Sequence, residues 1–71
     1  MEKLRYQVVT DGHFDGGLDE KRSYCHLIDA KKAIKAYLKD GWEGAAIYDH
    51  VSKKWHSFYG DFRTELVLEQ Q

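Results

Sequence analysis

Apolar and polar positions along this chain change period several times, and each change marks an element. Leu4, Tyr6, Val8 and Thr10 alternate with Lys3, Arg5, Gln7 and Val9, a period of two that predicts a half-buried first strand. Residues 11–20 (DGHFDGGLDE) are rich in glycine and acid and predict a long loop with Phe14 at its tip. Lys21–Ile28 returns to alternation, with Tyr24, His26 and Ile28 on one side and Cys25 and Leu27 on the other, and predicts a second strand.

The clearest periodicity follows. Ala30, Ala33, Ile34, Tyr37 and Leu38 recur at helical spacing, with Lys31, Lys32, Lys35 and Lys39 on the other side. Asp29 is an N-cap residue by type, and Gly41 stands where a helix needs a residue of positive φ to end. Trp42–His50 then predicts a strand, Val51–Lys54 a short polar connection, and Trp55–Tyr59 the return strand of a hairpin. Within that return strand, alternation sets Trp55, Ser57 and Tyr59 against His56, Phe58 and Gly60, so both faces carry a ring. After Gly60, Phe62, Thr64, Leu66 and Leu68 alternate with Arg63, Glu65, Val67 and Glu69, which predicts a last strand, with a frayed helix as the alternative. The order is ββαβββ: an α+β domain, a small antiparallel sheet with one amphipathic helix packed on one face.

Length narrows this further. With 71 residues there is room for a single domain spanning 1–71 and for one modest core. Two Trp, five Tyr and three Phe supply the large side chains such a core needs, and not every ring can be hidden. Lone Cys25 cannot form an internal disulfide. The opening MEKLRYQVV has no signal-peptide pattern, and no apolar run reaches membrane-spanning length, so the expectation is a cytoplasmic domain without a membrane partner.

Candidate chemistry is sparse. Read as a calcium loop, Asp11, His13, Asp15, Gly16 and Asp19 fall at the right intervals, but Arg22 stands where a bidentate glutamate belongs. His13, His26, His50 and His56 are scattered without metal-ligand spacing, and adjacent Cys25 and His26 would point to opposite faces of a strand. Gly12, Gly16 and Gly17 precede a strand instead of a helix N-terminus, so no phosphate cradle forms. No metal, no cofactor and no catalysis are expected; the chain reads as a binding protein.

Charge supplies one candidate surface. The formal net charge is −1, yet Lys31, Lys32, Lys35, Lys39, Lys53 and Lys54 outnumber Asp29, Asp40, Glu43 and Asp49 within residues 29–54. A lysine-faced helix beside exposed rings would suit nucleic acid, although no arginine lies in that block to read bases. The same features suit protein recognition, with Phe14 and Asp15 in the loop, Lys31, Lys32, Lys35 and Lys39 on the helix, and Trp55 and Tyr59 on the hairpin as the contact residues. The alternative for Phe14 is that it folds back as a lid on the core.

Two resemblances sharpen these expectations. A strand pair, one lysine-rich helix ending in Asp40-Gly41-Trp42 and a Trp-containing hairpin resemble small phage-encoded accessory proteins, including anti-CRISPR inhibitors. That likeness implies a non-catalytic inhibitor or modulator that covers a host protein or ribonucleoprotein complex in the host cytoplasm; the domain itself is expected to be monomeric or weakly dimeric. Direct nucleic-acid binding as a small regulator is the alternative. Ala30–Gly41 followed by Trp55–Phe62 also resembles the helix-glycine and final strand of peptidoglycan-binding SPOR repeats, with Asp61 where that family has proline. This second likeness implies a glycan-binding module as a remote alternative.

Overall fold

A computed structural model of the chain describes residues 3–10, 14 and 16–62. Its elements are β1 (Tyr6–Thr10), a short 3-10 turn (Glu20–Arg22), β2 (Ser23–Tyr24), α1 (Leu27–Lys39), β3 (Gly44–Asp49) and β4 (Lys54–Gly60). The strands form one antiparallel sheet in the order β2-β1-β3-β4, so the α+β expectation of one helix on a small antiparallel sheet is met. Asp15 lies outside the described residues, as do Asp11, Gly12 and His13 of the loop and all but Phe62 of the expected last strand over residues 62–69.

The second strand is much shorter than its alternation predicts. Only Ser23 and Tyr24 pair with β1, and the helix begins at Leu27. The physical reason is that Leu27 continues the stripe of Ala30 and Ile34 at helical spacing and packs with them over the sheet. Tertiary packing outweighs the β-preference of a short run. The N-cap is therefore His26, whose side chain makes no capping bond, and Asp29 sits inside the first turn, where its charge favours the helix dipole. Cys25 and His26 do not occupy a strand at all; they form the bend between β2 and α1.

The helix ends as expected. Gly41 has φ 109°, Trp42 N–H donates to the Tyr37 carbonyl at 3.2 Å and Gly41 N–H to Leu38 at 3.3 Å. These paired bonds close the last turn and direct the chain back into β3. Val8, Ala30, Ile34, Ala45 and Ile47 form the buried core between helix and sheet, with Tyr6, Tyr24, Leu27, Ala33, Tyr37, Leu38 and Tyr59 packed around it.

Asp49 ties three segments together at the end of β3. Its carboxylate accepts from Arg5 Nε at 2.9 Å and Arg5 Nη2 at 2.8 Å, a bidentate pair, and from the backbone N–H groups of Val51 and Ser52. Those last two bonds make the β3–β4 turn, which Lys53 completes with a positive φ of 58°. The hairpin expected over Trp42–Tyr59 is thus present, with the turn held from the residue that precedes it.

Candidate functional site

The helix covers one face of the sheet, and the other carries a second, aromatic cluster. Across β1 and β3, Val9 and Tyr48 point to this open face, opposite Val8 and Ile47 in the core. Phe14 lies across them and is only 3% exposed. Its ring is 4.7 Å from Tyr48 and 5.1 Å from Trp55, while Tyr48 and Trp55 meet edge-on at 5.1 Å. Edge and tilted contacts at these distances are the favoured aromatic geometries.

A bulge decides which rings reach this face. Tyr48 pairs with Trp55 but Ile47 pairs with Ser57, so His56 is an extra residue in β4. His56 turns toward the helix side, where it meets the Tyr6 ring edge-on at 6.0 Å. Beyond the bulge, Phe58 pairs with Ala46 and points to the open face, and Tyr59 pairs with Ala45 and points to the core. The simple alternation that groups Trp55 with Tyr59 is therefore corrected: Trp55 shares a face with Phe58, and Tyr59 belongs to the opposite one.

Two glycines bring in the last ring. Gly44 and Gly60 are register partners at the end of the hairpin. A Cβ on Gly44 would run into the Phe62 backbone nitrogen, and Gly60 takes φ 64° at a place where a Cβ would run into the Glu43 carbonyl oxygen. Only with both positions free of side chains does the chain cross over Gly44 and set Phe62 on the open face. There Phe62 is 5.6 Å from Trp55 and 5.7 Å from Phe58. Phe58, 5.7 Å from Trp55, is the most exposed of these rings at 51%.

The border of the cluster is polar and fixed. Gln7 Oε1 accepts from the Asp19 backbone N–H at 3.2 Å and bonds His50 Nε2 at 2.6 Å. Because an amide oxygen only accepts, Nε2 carries the proton. His50 packs edge-on to Tyr48 at 4.9 Å, and burial lowers its pKa below the ordinary value while nearby Asp49 opposes the shift. The side chains that pack together on this face, Val9, Phe14, Tyr48, Trp55, Phe58 and Phe62, are all uncharged, and Arg5 and Asp19 stand at its border beside His50 and Gln7.

The contact residues expected from sequence are divided by this arrangement. Phe14 is not an exposed anchor; it is the lid, because its ring fills the space over Val9 and between Tyr48 and Trp55. Trp55 is half-buried on the open face, and Tyr59 is half-buried against the helix-side core. Lys31, Lys32, Lys35 and Lys39 are all exposed on the helix, whose buried residues Ala30 and Ile34 face the sheet. The lysines and Trp55 thus lie on opposite sides of the molecule and cannot form one contact patch. Phe58 and Phe62 join the site instead. The ring on each side of β4 was their signal in the sequence; the bulge that assigns the sides was not.

Among the described residues no group of three His, Cys, Asp or Glu side chains is placed to hold a metal ion, and no helix is long and apolar enough to cross a membrane. Comparison with protein-family models, curated proteins and solved structures finds no match.

Proposed function

We propose that this chain is a non-catalytic binding protein whose open sheet face docks an apolar surface of a partner protein. One observation carries the reading: Trp55, Phe58 and Phe62 form a continuous aromatic surface, with Phe58 half in water, packed over Val9, Phe14 and Tyr48. Aromatic anchors that lose charge-free surface to a partner dominate protein–protein affinity, and rings already held by neighbours lose little freedom on docking. Phe14 and Tyr48 beneath them serve as that support. Nucleobase stacking on the same rings is less favoured, because the lysines that would hold a phosphate backbone lie on the other side of the sheet. In the narrower form that the resemblance to phage accessory proteins implies, the partner is a host protein or ribonucleoprotein and docking inhibits or modulates it.

The test begins by identifying a stoichiometric partner in nuclease-treated bacterial lysate and measuring its affinity by calorimetry. Phe58→Asp should then weaken binding by about 2 kcal/mol or more, while Lys35→Glu leaves it unchanged. Undiminished binding by Phe58→Asp and by Trp55→Ala, both shown to be folded, overturns the reading.

A further inference from the structure

The helix presents a second surface that the aromatic face does not explain. Lys31, Lys35 and Lys39 follow one another at intervals of four residues, with Lys32 beside them, and all four are exposed. At helical rise, the first three span about 12 Å in a line. Like charges four apart destabilise a helix, and an acid three or four residues away would relieve them. Leu27, Ile28, Lys32, Ile34, Ala36 and Leu38 occupy those neighbouring positions around Lys31, Lys35 and Lys39, so the helix offers none. Asp29, three residues before Lys32, and Glu43, four after Lys39 but past the Gly41 turn that ends the helix, are the acids within such reach of the four. The ion pair between Arg5 and Asp49 is remote from this stripe. The helix thus retains unrelieved repulsion along one exposed line, in a chain whose net charge is −1.

We infer that the Lys31–Lys35–Lys39 stripe with Lys32 is a docking surface for the phosphodiester backbone of nucleic acid, read without base specificity. A row of point charges complements a linear polyanion, and lysine satisfies phosphates without the fixed fork that arginine brings to carboxylates or base edges. A lipid surface is a poorer fit, since the apolar side of the helix is already committed to the sheet and Ile28 is its one large exposed apolar residue. The stripe lies across the sheet from Trp55 and Phe58, so a nucleic acid and a protein can be held at once. That arrangement suits a protein acting on a nucleoprotein complex, and the stripe binds whether or not the aromatic face does.

Fluorescence anisotropy with a labelled 20-base-pair DNA duplex of mixed sequence tests this. Releasing the counterions of about four phosphates should weaken binding roughly a hundred-fold between about 50 and 200 mM salt. Lys31→Glu, Lys35→Glu and Lys39→Glu together should abolish it, the corresponding triple glutamine variant should weaken it at least ten-fold, and Phe58→Asp should leave it unchanged. Circular dichroism establishes that each variant retains its helix. No saturable binding by the unaltered chain at the lower salt overturns the inference, as does equal binding by folded charge-reversed protein. Equally effective competition by polyglutamate of matched charge also overturns it, because the surface would then select anions and not nucleic acid.

Discussion

Trp55 and Tyr59 stand four residues apart on one strand and point to opposite faces of the sheet. Even spacing along a regular strand would put them on the same face. The extra residue at His56 breaks that rule: Tyr48 opposes Trp55, Ala45 opposes Tyr59, and both His56 and Ser57 face the helix side. One inserted residue thus separates a ring that completes the core from rings that make a surface. It also bends an edge strand, which discourages unspecific pairing with other strands. The aromatic face consequently presents side chains more than backbone.

Phe14 should bear on stability. It is almost wholly buried over Val9 and between Tyr48 and Trp55. Truncation to alanine removes a ring from a packed site, at a cost of about 3 kcal/mol. Chemical denaturation of Phe14→Ala should show that loss, whereas Phe58→Ala, whose ring is half exposed, should change the midpoint little. Equal midpoints for Phe14→Ala and the unaltered chain would contradict the packing described.

Gly44 should tolerate no side chain. Its missing Cβ is where the Phe62 backbone passes, and backbone cannot rotate aside as a flexible side chain can. Gly44→Ala should therefore cost about 2 kcal/mol or displace Phe62 from Trp55 and Phe58. Denaturation together with Trp fluorescence separates the two outcomes, since displacement alters the ring environment of Trp55 without a matching loss of stability. No change in either measurement would show that residues 61–62 do not cross Gly44.

The sequence made the helix and the hairpin legible for physical reasons that are local. Ala30, Ile34 and Leu38 repeat at helical spacing, Gly41 is free to take positive φ, and β-prone runs flank Val51–Lys54. The strand expected over Lys21–Ile28 failed because Leu27 and Ile28 satisfy either period, and burial of Leu27 beside Ile34 settles which. The bulge was illegible because nothing in His56 or Ser57 differs from ordinary strand composition; it exists only in the pairing with Ile47 and Tyr48. Asp49 was half legible: an aspartate just before a turn is a familiar turn-former, but its bidentate partner Arg5 is remote in sequence. The site suffered most, since assigning rings to faces needs both the bulge and the Gly44 crossing.

Asp49 should make the fold sensitive to acid. Its side chain is 7% exposed, and the Arg5 guanidinium, with the Val51 and Ser52 N–H groups, holds its carboxyl well below the usual carboxylate range. A folded pKa below the unfolded one means the carboxylate contributes fully above about pH 4. That contribution is lost as pH falls further toward the folded value. Asp49→Asn should flatten the acid limb of a stability–pH profile below pH 4 and cost about 2 kcal/mol at neutral pH, chiefly from weakened charged hydrogen bonds. An unchanged acid limb would mean that other carboxylates set it.

His50 should act in the same direction at a higher pH. Its Nε2–H donates to Gln7 Oε1, its ring rests against Tyr48, and burial pushes its pKa down. Protonation therefore favours the unfolded chain. The stability held above the ordinary histidine pKa, about 6.5, declines as pH drops below it. Because Gln7 also accepts from the Asp19 backbone, the bond joins the turn after β3 to the segment entering the 3-10 turn across β1. His50→Gln preserves hydrogen-bonding capacity but cannot be protonated, so its stability should be flat between pH 7.5 and 5.5, where the unaltered chain loses ground. Ring-proton resonances of His50, followed through the same range by NMR, should titrate with a midpoint below the ordinary histidine value. A midpoint at or above that value would show that water or the Asp49 charge, and not burial, governs the ring.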